Sequence, residues 1–136
     1  MPACQWLLID DDLDDQEIFC LAAQDANASI ECVCESDSIE AVLKLNADTA
    51  FIPDCIFIDM NMPRMNGRQC LLEIRKIARL CDTPIFMCST SSDPKVIAET
   101  KQLGAADFIV KPSTLSEFTH TLRKVYHNLT HPTAGK

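Results

Sequence analysis

"CIFIDMNMPRMNG" (residues 55–67) runs four apolar residues straight into a single carboxylate, Asp59, and then into a loop punctuated by Met, Pro and Gly. An unbroken apolar run of this length suits a strand covered on both faces, as in a parallel sheet. An aspartate at its end could merely cap or turn the chain. That reading fails only if other carboxylates gather at the same place.

Outward from this stretch, "WLLI" (6–9), "IFMC" (85–88) and "FIV" (108–110) are apolar throughout, whereas a charge interrupts "SIECVC" (29–34), which reads as an edge strand. Helical patterns lie between them. Residues 14–26 space Ile18, Leu21, Ala22 and Asp25 as a stripe with one polar end. "DSIEAVLKLN" opens with Asp37 and carries Glu40 three positions on, a variant of the capping box. From Arg68 to Arg79, Leu71, Ile74 and Ala78 can share a face. "DPKVIAETKQLG" sets Asp93 at a cap, Pro94 at the first helical position and Gly104 beyond the end. Thr114 and Glu117 form a T-x-x-E box before a stripe of Leu115, Phe118, Leu122 and Val125. The order is βαβαβαβαβα, and right-handed crossovers then require a doubly wound, five-stranded parallel sheet with helices on both faces, an α/β three-layer sandwich. One domain is expected over residues 1–126, with a frayed tail over 127–136.

Composition narrows the function. The 136 residues are 47% hydrophobic and 24% charged, an ordinary globular balance. No apolar run approaches the roughly 20 residues that span a bilayer, and the N-terminus lacks a basic region, so a cytoplasmic protein is expected. Twelve Lys plus Arg against twenty Asp plus Glu give a formal charge of −8, which disfavours nucleic acid as a partner. The eight cysteines show no C-x-x-C pair and are expected to be reduced and structural, with Cys32 and Cys34 facing one side of their strand. His127 and His131 are four apart but have no carboxylate partner nearby.

In open parallel sheets, ligands bind at the C-terminal strand ends. Those ends carry Asp10, Asp11 and Asp12 after the first strand, Asp59 after the third, Ser89 and Thr90 after the fourth, and Lys111-Pro112 after the fifth. Close carboxylates repel unless a proton or cation lies among them, and Mg²⁺ prefers such oxygen donors. The acidic "DDDLDD" loop would repel a directly bound phosphate of a flavin or dinucleotide. Carboxylates, a hydroxyl and a lysine together describe a phosphoryl site, with Asp59 as nucleophile, Lys111 pairing with one oxygen and Ser89 donating to another.

At these residues the chain resembles a response-regulator receiver domain (CheY-like) of two-component signalling, over roughly residues 5–126. The resemblance implies the flavodoxin/CheY-like strand order 2-1-3-4-5. It also implies Asp59 as phosphoacceptor, Mg²⁺ held by Asp10, Asp11, Asp59 and the backbone carbonyl of Asn61, and Ser89 and Lys111 on the phosphoryl group. Phe108 occupies the aromatic switch position, and a cis bond is implied before Pro112. Thr90 departs from the usual Ala or Gly and, with Met60 and Ser91, lies on the rim that modulates phosphoryl lifetime. Asp12, Asp14 and Asp15 read instead as helix N-terminal charges.

The implied function is a stand-alone receiver that takes a phosphoryl group from the phosphohistidine of a sensor histidine kinase or phosphotransfer protein. Its output is then a protein–protein contact with a downstream target, through the face of the fourth helix, fifth strand and fifth helix. The same face is a candidate surface for a homodimer. The receiver would catalyse only its own phosphorylation and dephosphorylation. Three rivals are a phosphorylation-independent pseudo-receiver, an aspartyl-phosphate phosphatase and a flavodoxin-like electron carrier. The intact acidic set, Asn at position 61 and the acidic first loop respectively count against them.

Overall fold

The computed structural model describes residues 4–131. Strands and helices alternate as β1 (Cys4–Ile9), α1 (Leu13–Ala26), β2 (Ile30–Glu35), α2 (Ser38–Ala47), β3 (Cys55–Asp59), α3 (Gly67–Arg75), β4 (Ile85–Ser89), α4 (Pro94–Gln102), β5 (Asp107–Val110) and α5 (Leu115–Thr130), with a 3-10 turn at Ala78–Leu80. All strand pairs are parallel, in the order β2-β1-β3-β4-β5. This is the architecture expected from the sequence, with β2 at one edge.

Alternation along each strand divides the core into two layers. Leu7, Ile9, Ile56, Ile58, Ile85 and Met87 pack under Leu45 of α2 and Leu71 and Ile74 of α3. Trp6, Leu8, Phe57 and Cys88 point the other way, under α1 and α5. There Phe19 is the hinge pin of an aromatic cluster, its ring centroid 4.8 Å from Phe57 and 5.7 Å from Phe118. Every residue of β3 is buried, as two-sided coverage demands.

Several local expectations give way to packing. The buried face of α1 is Phe19, Ala22, Ala23 and Ala26, while Ile18 is 44% and Leu21 54% exposed. Three alanines let the helix lie close to the sheet and to α5, and Phe19 alone fills the gap below; larger side chains would hold the helix off. β5 is not covered on both faces, because it is the other edge strand and only Ile109 in it is buried. α3 stops at Arg75 because Lys76 and Ile77 donate to carbonyls only three residues back, tightening the turn. That rotation turns Ala78 outward and sends Ile77 and Leu80 inward. Leu115 is likewise exposed, at the first turn of α5. α5 continues through Thr130, past the point at 127 where fraying was expected, and residues 132–136 lie outside the described residues.

The caps follow the sequence signals at Asp37, Asp93 and Thr114. Asp12 caps α1, accepting from the backbone of Asp14 and Asp15. The bond before Pro112 is trans, as are all peptide bonds among the described residues, against the cis bond implied by resemblance. The trans form is the preferred one for X–Pro by about 0.5–1 kcal/mol, and Lys111 N–H extends the ladder by donating to Ser89 O at 2.7 Å. Among the described residues, no helix is long and apolar enough to cross a membrane.

Candidate functional site

Parallel pairing in register brings the strand ends together. Ile9 pairs with Ile58, Asp59 with Cys88, and Ser89 with Val110. Asp10, Asp59, Ser89 and Lys111 therefore emerge along one edge of the sheet. Carboxylate oxygens of Asp10, Asp11 and Asp59 all lie within 4.8 Å of one another. Asp10 and Asp59 are buried, at 2% and 7% exposure, and Asp11 is exposed. Three hard oxygen donors so close, one open to solvent, form a set suited to a hydrated divalent cation such as Mg²⁺.

Lys111 lies over this set. Its Nζ is 3.0 Å from Asp59 Oδ1, 3.1 Å from Asp10 Oδ2 and 3.0 Å from Asp15 Oδ2. Burial pushes the Asp10 and Asp59 carboxyls above the ordinary carboxylate range, and contact with Lys111 only partly offsets it. For Lys111 the balance is reversed: burial pulls the amine down, but hydrogen bonds to Asp59 and Asp15 outweigh it and hold the amine above its usual value.

The surrounding backbone fixes these groups. Asp12 N–H donates to Asp10 Oδ1 at 3.0 Å, and Gln16 Nε2 donates to Asp10 O at 2.7 Å. Met60 N–H donates to Cys88 O at 2.9 Å, and Gly67 N–H returns to Met60 O at 3.0 Å, closing the loop. A Cβ on Gly67 would stand 2.7 Å from Met60 Cα, so the glycine ending "MPRMNG" is required by close approach of two backbones. Asn66 and Gln69 form a reciprocal capping box that starts α3 at that glycine. Asp59 is thus no turn residue; it is held at the centre of a charged site.

Ser89 is buried, and its Oγ accepts from Ser91 N–H at 3.1 Å. Met60, Asn61, Ser89, Ser91 and Phe108 border one cavity of about 450 Å³ beside the carboxylates. Phe108 is half-buried and packs against the core layer beneath α3. Thr90 is exposed and belongs to a different, smaller cavity of about 120 Å³, shared with Asp10, Asp15 and Lys111. The expected rim therefore has two sides, with Thr90 apart from Met60 and Ser91.

Asp15 is the site residue that the sequence reading missed. Its place in the sequence makes it a helix N-terminal charge, yet its carboxylate reaches Lys111. Helical side chains tilt toward the N-terminus, so a residue one turn into α1 reaches back over the end of β1. That tilt was the available signal. His127 and His131 stack at 4.6 Å, and among the described residues only Asp10, Asp11 and Asp59 group as metal donors.

Comparison with known proteins agrees with this geometry. The family model described as response regulator receiver domain matches residues 6–123. The chemotaxis protein CheY of Thermotoga maritima is 38% identical over 73 residues, covering 54% of this chain and 59% of that protein, so the match spans less than two thirds of that relative. Among solved structures, Vibrio cholerae CheY4 superposes with a TM-score of 0.77 at 29% identity, covering 90% of this chain and 98% of the other. The phosphorylated cyanobacterial phytochrome response regulator RcpA does so at 0.82 and 25% identity, covering 97% of each chain. With the acidic trio and its lysine at the ends of a 2-1-3-4-5 sheet, the chain belongs to the response regulator receiver domain family of two-component signalling.

Proposed function

We propose that the chain accepts a phosphoryl group on Asp59 from a phosphohistidine donor in a Mg²⁺-dependent reaction, and signals through a phosphorylation-dependent protein contact. The observation that carries this reading is Lys111 Nζ at 3.0 Å from Asp59 Oδ1, within a trio of carboxylates. An Asp59 oxygen attacks phosphorus, the P–O bond forms, and the P–N bond to the donor imidazole breaks. Asp10, Asp11, Asp59 and the Asn61 carbonyl would hold Mg²⁺, which supplies positive charge against the incoming phosphoryl oxygens. Lys111 moves its ion pair from the Asp59 carboxylate to a phosphoryl oxygen. The Ser89 hydroxyl, buried beside the larger cavity, turns to donate to another.

Phe108 lines that cavity with Ser89, so inward movement of the serine frees space for the ring and changes the surface of β5. Met60, Ser91 and Thr90 control access of water to the acyl phosphate and hence its lifetime. The RcpA structure is of a phosphorylated response regulator, in keeping with this chemistry. The partners are a histidine kinase or phosphotransfer protein on the donor side and a protein target at the α4-β5-α5 face, where two copies of the chain could also pair. A cytoplasmic location and a receiver unit of residues 1–126 belong to the same reading.

The test is labelling with acetyl phosphate, or beryllofluoride binding, in Mg²⁺. Wild type is expected to take up one phosphoryl group per chain, prevented by chelation before labelling, and Asp59→Asn none. Stoichiometric label on Asp59→Asn would remove the assignment.

A further inference from the structure

A cluster of thiols unrelated to the acidic site lies between α1 and the open edge of the sheet. In register, Trp6 pairs with Cys32 and Leu8 with Cys34, so both cysteines of β2 face the α1 side together with Cys4. Cys20, the residue after the aromatic pin Phe19, comes down from α1 onto them. Its Sγ is 3.4 Å from Cys34 Sγ, van der Waals contact between sulfurs fourteen residues apart in the chain.

Cys32 is partly accessible on the same side of β2, two residues before Cys34, and the remaining cysteines are differently placed. Cys55, Cys70 and Cys88 are buried, Cys81 is exposed, and the Cys4 sulfur accepts the Trp6 indole N–H at 3.2 Å. Cys20 and Cys34 are both partly accessible, because β2 has a neighbour on one side only. A disulfide needs sulfurs about 2.05 Å apart, so closing this pair takes roughly 1.4 Å of side-chain movement. Burial, with the Cys20 sulfur beside it, pushes the Cys34 thiol up to about 12, so that thiol rests protonated at neutral pH.

We propose that Cys20 and Cys34 form an oxidative modification site, closing into an intrachain disulfide that ties α1 to the edge strand β2. With hydrogen peroxide as oxidant, one sulfur, as thiolate, attacks the peroxide O–O bond and becomes a sulfenic acid as the first water leaves. The second thiol attacks that sulfur, the S–S bond forms, and the hydroxyl leaves with the remaining proton as a second water. Two thiols lose two electrons and two protons to one peroxide. The helix so fixed is the one whose first turn holds Asp15 against Lys111, but the modification itself stands on the thiol geometry and not on the proposed phosphoryl transfer.

The experiment uses the full chain carrying Cys81→Ser, which removes the exposed thiol and its intermolecular chemistry. After exposure to hydrogen peroxide and alkylation, fragment-ion mapping is expected to show Cys20 joined to Cys34 within monomers, reversed by dithiothreitol. The oxidised protein should melt about 5 °C or more higher, since the bond closes a short loop in the unfolded chain. Adding Cys34→Ser should abolish the bond, and adding Cys32→Ser should leave it. Four thiols still alkylated among Cys4, Cys20, Cys32 and Cys34, a bond to Cys32 instead, or cross-linked dimers alone would overturn the proposal. Because the mapping is read on Cys81→Ser itself, it stands even if Cys34→Ser fails to fold.

Discussion

Lys111 holds Asp15 at 3.0 Å, as close as it holds Asp59. One amine is therefore shared among three carboxylates, one of which comes from the first turn of α1 and takes no part in the acidic trio. Asp15 competes for the cation that the incoming phosphoryl group needs. Its side chain is 41% exposed, so the pair is worth no more than about 1 kcal/mol. Asp15→Asn should accordingly speed labelling of Asp59 by acetyl phosphate, by up to about fivefold. Rates measured at fixed Mg²⁺ check this. A slower variant would show instead that Asp15 positions the amine productively.

Gly67 carries a different constraint, purely of space. A methyl group there would meet the backbone of Met60 at 2.7 Å, and the Asp59 carbonyl lies on the same side. Main chain cannot swing aside as a flexible side chain can. Gly67→Ala should lower stability by about 2–3 kcal/mol, the upper range for forcing atoms into a packed interior, and should also impair labelling by displacing the Asp59 loop. Urea denaturation measures the first effect, and an unchanged midpoint would contradict the close approach.

Both positions bear on how much was legible in the sequence. The strands and the meeting of Asp10, Asp59, Ser89 and Lys111 follow from apolar runs ending in those residues, because parallel topology converts scattered positions into one edge; the strand order comes only with the resemblance to receiver domains. What stayed hidden depends on side-chain direction and volume. Ile18 and Leu21 look like a buried stripe, but the alanines at 22, 23 and 26 set the distance between α1 and the sheet, and only packing in three dimensions reveals that choice. Asp15 is one charge among five in "DDDLDD", and composition alone cannot tell a macrodipole charge from one that turns back onto Lys111. The contact of Cys20 with Cys34 joins a helix to an edge strand, a pairing with no signature in spacing.

The acidic site should also leave a mark on stability. Burial raises the folded-state pKa of both Asp10 and Asp59 above their unfolded values. Between those values the folded chain binds more protons than the unfolded one, so their contribution to stability is fullest below the unfolded carboxylate pKa and falls as pH rises through the folded values. Lys111, raised by its ion pairs, contributes throughout that window and loses its contribution only in alkali. In chelator, Asp59→Asn should therefore melt higher than wild type at neutral pH, and the gap should close as pH falls toward about 4. Thermal melts of both proteins across that range decide it; a gap that widens in acid reverses the sign and the argument.

Asp11 allows the cation to be tested apart from the fold. It is exposed, it contributes one of the three oxygens within 4.8 Å, and no hydrogen bond of the folded chain depends on its carboxylate among those found at the site. Wild type in Mg²⁺ should gain stability by mass action, about 2.7 kcal/mol when the ion is at a hundred times its dissociation constant. Removing one of three anionic donors weakens the pull on a hard ion while leaving Asp10 and Asp59 paired to Lys111. Asp11→Ala should thus keep the metal-free melting point within a few degrees of wild type and shift the Mg²⁺ titration midpoint to at least about tenfold higher concentration, a loss of roughly 1.4 kcal/mol. Melting curves read against added Mg²⁺ separate the two effects. If the titration of Asp11→Ala overlays that of wild type, the ion is held elsewhere, and the carboxylate trio is an electrostatic feature of the apo fold alone.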